Sequence, residues 1–309
     1  MRVLVTGGTG FIGSHAAEHL CRRGHTVLVL DDYTTGRRDT LEPPPAGLTV
    51  SELDIANASA LTGAFESFRP DVVLHCAASY KDPDAWEADV RTNVEGTINV
   101  VRASRRANVG RLIYFQTALC YGSYPKEQPV TLGAALHPQN SYAISKTAGE
   151  QYIASSGLEF LSLRLANMYG PRNVSGPVPT FYSRLAAGRA CFAVNTRRDF
   201  VYVDDLMGVV VPATEGKGAP GYYHVSSGRD VSIRELYDAV AAAMAIDRPV
   251  EERERGADDA PTILLDPSRA EKEFGWRVST PLADGVRQTV AWYRAHGVDQ
   301  TYTHLKLER

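Results

Sequence analysis

Cysteine is scarce. The four in 309 residues, Cys21, Cys76, Cys120 and Cys191, lie far apart and form no C-x-x-C or Cys/His ligand spacing. That argues against a disulfide framework and against a metal site. Positive charge is not in excess either, with 33 Lys plus Arg against 36 Asp plus Glu and a formal charge of -3, so no basic balance calls for nucleic acid. Long apolar runs are missing too. The N-terminal MRVLVTGGTGFIGSH is interrupted by glycines before it reaches signal-peptide or transmembrane length. There is no internal repeat and no low-complexity tract. What remains is a chain of 44% apolar and 22% charged residues, long enough for one large domain or two modest ones. The expectation is a cytoplasmic protein with reduced thiols and no membrane insertion.

Short apolar, β-branched runs recur along the first half, at 2–6, 26–32, 48–53, 71–77, 111–117 and 160–166. Helical segments are expected between them at about 14–23, 57–67, 84–108 and 142–156. Continuous apolar strands alternating with helices predict an α/β fold with a mostly parallel sheet covered on both faces. Beyond Gly170 the character changes to a Pro/Gly-rich stretch. A helix near 179–187, strands at 198–203 and 222–227, a helix at 232–245, a charged link at 251–261 and a helix at about 281–295 follow. The predicted domains are residues 1–168 plus about 200–231 for a dinucleotide-binding lobe, and 169–199 with 232–309 for a smaller α/β substrate lobe.

Gly7, Gly10 and Gly13 stand directly after one strand and open a helix. Glycine is needed there because the backbone must approach a pyrophosphate closely, while the helix N-terminus supplies N–H donors. Asp31 ends the second strand, placed to take adenosine ribose hydroxyls; its charge favours NAD over NADP. Asp54 and Ile55 follow the third strand, where the carboxylate either sits by the adenine or belongs to a plain turn.

Tyr142 and Lys146 form Y-x-x-x-K, which a helix places on one face. A tyrosine is a poor base at its ordinary pKa of about 10, but a neighbouring ammonium stabilises the phenolate. Thr117, at the carboxyl end of the fifth strand, offers a hydroxyl to a substrate oxygen or simply caps the strand. Carboxyl ends of parallel strands are where ligands bind in such sheets.

These residues carry a family resemblance. The motifs TGGTGFIG at 6–13, HCAA at 75–78, NVEGT at 93–97, QTALCYG at 116–122, YAISK at 142–146, LRLANMYGPR at 163–172 and RDFVYVDD at 198–205 resemble those of the extended short-chain dehydrogenases/reductases. Within them the chain is similar to the NAD-dependent epimerase/dehydratase group, which acts on nucleotide sugars. The resemblance implies a Rossmann-type fold and a catalytic triad of Thr117, Tyr142 and Lys146. It implies an NAD site lined by Gly7, Gly10, Phe11, Ile12, Gly13, Asp31, Asp54, Ile55, Ala77, Ala78, Asn93, Tyr142 and Lys146. Substrate would be met by Thr117, Ala118, Tyr142 and Asn167, with Arg198 and Arg255 on the diphosphate and Tyr80 and Lys81 near the hexose. Relatives pair two helices per subunit, which implies a homodimer.

The resemblance also bears on the reaction. Sugar 4,6-dehydratases of the group carry an Asp-Glu pair after the catalytic threonine, and decarboxylases carry the glutamate. Here Ala118 and Leu119 stand there, and neither can transfer a proton. What needs no further acid or base is epimerisation at C4 of a UDP-sugar, whether a hexose, a uronic acid or an acetamido sugar. Alternatives are a 3- or 5-epimerase, with Cys120 as a possible acid/base, an atypical dehydratase, or a 4-ketoreductase, against which Asp31 speaks. A non-enzymatic cofactor sensor is a further class. The overall pattern is similar to epimerases of bacterial polysaccharide or specialised-metabolite pathways.

Overall fold

A computed structural model describes residues 1–80, 82–256, 260–298 and 300–302. In chain order the first half reads β1 (Arg2–Thr6), α1 (Phe11–Arg22), β2 (Thr26–Asp31), β3 (Leu48–Glu52), α2 (Ala58–Phe68) and β4 (Val72–His75). Next come α3 (Trp86–Asp89), a wide π-helical turn (Val90–Gly96), α4 (Thr97–Arg106), β5 (Arg111–Thr117), a 3-10 turn (Ala118–Tyr121), α5 (Ser141–Ala154) and β6 (Phe160–Leu165). The remainder holds β7 (Asn167–Tyr169), α6 (Pro177–Ala186), β8 (Phe192–Val194), β9 (Arg197–Arg198), β10 (Phe200–Tyr202), α7 (Val203–Thr214) and β11 (Gly221–Val225). It closes with β12 (Val231–Ser232), α8 (Ile233–Met244), β13 (Glu251–Arg253), α9 (Ser268–Phe274) and α10 (Leu282–His296).

Seven strands form one sheet in the order β11-β6-β5-β4-β1-β2-β3, every pairing parallel. This is the doubly wound Rossmann arrangement, with the order reversing beside β1. Its strands are apolar on both faces because both are covered. Val3 and Val5 pack with α1, α7 and β11 residues such as Ala17, Leu206 and Val225, while Leu4 and Leu112 pack with α2 and α4 residues such as Phe65 and Val100. A second core gathers Tyr169, Phe181, Leu236, Tyr237, Val286 and Tyr293 from the smaller α/β lobe.

The chain crosses back through α7 and β11, and β11 extends the large sheet beside β6. Two features depart from the expected layout. The predicted strand at 198–203 is broken at Asp199, whose buried carboxylate accepts hydrogen bonds from Ser226 and Ser227, and α7 starts at Val203. Burial against the first core drives the β-branched stretch of α7 helical despite its propensity and Pro212. Secondly, Ala270, Phe274 and Trp276, sequence-assigned to the substrate lobe, pack into the first core. The charged link is also not all link: β13 pairs in parallel with β8.

Candidate active site

One cleft of about 1540 Å³ runs along the carboxyl ends of the large sheet and into the smaller lobe. That exceeds what a single drug-sized ligand fills. It begins at the glycine turn, where Gly7 adopts φ +65° and a Cβ would lie 2.6 Å from the Ala77 nitrogen. No side chain caps α1 at Gly10, and the first turn of the helix lines the cleft through Gly10, Phe11, Ile12 and Gly13. Such a turn is an anion cradle closed to any larger residue. The Asp31 carboxylate accepts the N–H of Thr9 at 2.9 Å and of Tyr33 at 2.9 Å while lining the cleft. Each oxygen keeps acceptor capacity for a hydroxyl. These features fit a dinucleotide. Leu53 and Ile55 continue the wall, whereas Asp54 accepts the Ala56 N–H and pairs with Arg91 at 2.6 Å.

The opposite side of this end is the loop after β4, where Cys76, Ala77, Ala78 and Tyr80 line the cleft. Asn93 stands behind it. Its amide donates to the Ser79 carbonyl and the Ser145 hydroxyl, its oxygen accepts the Ser79 N–H, and it is not among the lining residues. The wide turn of helix at 90–96 presents it there. Lys81 lies outside the described residues.

Thr117, Tyr142 and Lys146, from β5 and α5, all line this same cleft. Asn140 caps α5 by accepting the Ala143 N–H, and Tyr142 sits in the first turn above Lys146. Burial pushes the Tyr142 phenol up, with Tyr80 and Asp89 adding to it. Burial likewise pulls the Lys146 ammonium down to about 7; its Nζ lies 4.0 Å from the centre of the Tyr114 ring. Neither the Tyr142 hydroxyl nor Lys146 Nζ hydrogen-bonds a described residue. The Thr117 hydroxyl accepts the Leu119 N–H at 3.2 Å, which leaves its own hydrogen available to a ligand. Ala118 and Leu119 line the cleft beside it; Cys120 is fully buried in a small apolar cluster and is not a lining residue.

The far end belongs to the smaller lobe. Asn167 lines it and donates to the Asp199 carbonyl at 3.1 Å. Arg198 lines it with Nη1 held on the Ala260 carbonyl at 2.7 Å. Arg255 is not a lining residue but donates to Tyr124 at 2.8 Å, and Tyr124 is one. Sequence reasoning missed Tyr124, Arg184, Phe181, Phe192 and Thr196, all in this wall.

The model of the NAD dependent epimerase/dehydratase family matches residues 3–225, and the chain belongs to that family. Among solved structures it is similar to the Bordetella bronchiseptica enzyme WbmH in complex with NAD+, at 51% identity and a TM-score of 0.92 over 96% of this chain and 99% of that one. It is similar also to WbmG of the same organism in complex with NAD and UDP, at 45% identity and a TM-score of 0.89 over 98% of this chain and 97% of that one. The UDP-glucose 4-epimerase of Mycolicibacterium smegmatis is 32% identical over 95% of this chain and 99% of its own length.

Proposed function

We propose that this protein is an NAD-dependent epimerase that inverts C4 of a UDP-sugar through a transient 4-keto sugar. The observation that carries the reading is a single cleft in which the glycine turn and Asp31, the trio Thr117, Tyr142 and Lys146, and the arginine-bearing wall of the smaller lobe follow one another. NAD and UDP bound to close structural relatives support the first and last of these as cofactor and nucleotide ends. When bound, NAD supplies a reversible acceptor for the hydrogen at C4.

The chain's own residues do the rest. Thr117 donates its hydroxyl hydrogen to the sugar O4 and holds it against Tyr142. Tyr142 takes the O4 proton and later returns it. Its phenol is too weak a base while buried without counter-charge, so Lys146 must be protonated in the working complex. An anionic nucleotide beside it favours the ammonium that burial alone disfavours. Arg198 holds the diphosphate as a charged, forked donor, with Arg184 facing the same end of the cleft. Ala118 and Leu119 bring no proton donor to the sugar, which is why the keto stage returns to an alcohol instead of losing water. Trp86, Val90, Ile144 and Tyr152 are exposed on α3, the π-helical turn and α5, the helices through which we propose two copies pair.

The test is product analysis by chromatography and proton NMR after incubation with UDP-glucose, UDP-glucuronate, UDP-GlcNAc and their galacto counterparts, without added cofactor. Interconversion of one gluco/galacto pair at unchanged mass is expected. Loss of water, or no product from any pair, contradicts the reading.

A further inference from the structure

Thr117 and Tyr142 have to meet one sugar oxygen, yet they stand on different elements, and no hydrogen bond joins their side chains among the described residues. The elements are joined from below. Glu150, one turn beyond Lys146 on the same face of α5, receives two nitrogens of Arg164 at 3.1 and 2.8 Å and the Ser162 hydroxyl at 2.5 Å. Arg164 Nη1 donates to Tyr121 Oη at 2.6 Å, and Tyr121 ends the 3-10 turn that Thr117 caps. Tyr121 Oη in turn lies 2.7 Å from His224 Nε2 on β11, and His224 Nδ1 lies 3.0 Å from the Asp266 carbonyl.

The direction of every bond follows from the last. A carbonyl only accepts, so Nδ1 carries the imidazole hydrogen, Nε2 accepts, and Tyr121 donates to it. That leaves the phenol oxygen to accept from Arg164. Glu150 is 1% exposed, Arg164 3%, Tyr121 3% and His224 0%, and none of them lines the cleft. A buried ion pair contributes little net stability, and a fully satisfied polar network serves mainly to select one arrangement of the elements it joins. Here those elements carry Thr117 on one side and Tyr142 with Lys146 on the other.

We propose that Tyr121 and His224 are positioning residues: through Arg164 and Glu150 they lock the Thr117 turn to α5 and so set the gap that holds the sugar hydroxyl. The inference rests on the C4 reaction proposed above. Misplacement by a fraction of an ångström at such a gap slows bond breaking more than it weakens binding.

The experiment compares Tyr121→Phe, His224→Leu and His224→Gln with the unmodified enzyme, using the UDP-sugar it converts and the same sugar deuterated at C4. In Tyr121→Phe and His224→Leu, kcat falls about tenfold or more with KM within about twofold, and the isotope effect on kcat rises. His224→Gln, whose side-chain oxygen replaces the Nε2 acceptor, recovers most of kcat and the original isotope effect. Folded fraction and bound NAD, measured on each variant, normalise the rates. Unchanged normalised kcat and isotope effect in Tyr121→Phe overturn the proposal, as does equal activity of His224→Leu and His224→Gln; this second pair decides it if Tyr121→Phe does not fold. An unmodified enzyme that converts no UDP-sugar overturns the underlying reaction reading instead.

Discussion

The two walls of the cleft are built on different scales. The wall that starts at the glycine turn is the edge of seven parallel strands, packed so closely that a Cβ at Gly7 would lie 2.6 Å from a backbone nitrogen. The opposite wall rests on strand pairs of two or three residues, β10-β7, β12-β9 and β13-β8, with Arg198 held on loop carbonyls. A wall locked by backbone packing suits a group common to a whole family. A wall of short pairs can change its lining without disturbing the sheet, and that suits the part of the ligand that differs. The difference predicts that damage to the first wall abolishes chemistry or cofactor retention, while damage to the second changes affinity.

The largest effect is expected at the centre. Tyr142→Phe should lower kcat by about 10² to 10⁴, the usual range for a positioned acid/base, while bound NAD is retained; a loss below tenfold removes Tyr142 from the proton path. Next, Gly7→Ala forces a strained φ and a backbone clash. The expected outcome is protein purified without NAD and with a Tm lowered by several degrees, read by absorbance and thermal unfolding; wild-type behaviour would break the notion of a rigid first wall. Arg198→Ala on the second wall should raise KM about tenfold or more with kcat little changed, as loss of a charged hydrogen bond implies. An equal fall in kcat would mean that this wall, too, takes part in the chemical step.

The smallest effect concerns charge. Lys146 has its pKa lowered from 10.5 to about 7 by burial. Between those values the unfolded chain holds a proton that the ligand-free folded protein has released, so stability rises with pH across that window. Lys146→Met should flatten the rise of Tm from pH 7 to 10 in NAD-free protein. The buried imidazoles of His15 and His224, lowered to about 4, act at lower pH. Their contribution is complete above about 6.5 and is lost progressively as pH falls toward 4.

The same contrast explains what the sequence discloses. Gly7, Asp31, Thr117, Tyr142 and Lys146 were legible because a parallel strand, its following turn and a helical i,i+4 spacing are local patterns that place a residue by themselves. β5 was legible residue for residue, from Arg111 to Thr117. Helix α7 was not, because VVVPAT reads as strand or turn and only its packing against the first core makes it helical. Nor were Tyr124 and Thr196, which lie where distant segments meet: Tyr124 accepts from Arg255, and Thr196 follows β8, which pairs with β13 about 60 residues further on. Asn93 was expected in the cofactor lining but stands behind the cleft wall, and its bonds to Ser79 and Ser145 need the π-helical turn, which no pattern announces.

The most direct test of the central claim is to run the converted UDP-sugar to equilibrium in D2O and locate deuterium by NMR and mass. C4 inversion with no deuterium on any ring carbon is predicted, since the hydrogen leaves and returns to C4 without meeting solvent. Deuterium at C3 or C5 would contradict the account, because it requires proton removal beside the keto group by a base that Tyr142, Lys146 and Thr117 do not provide.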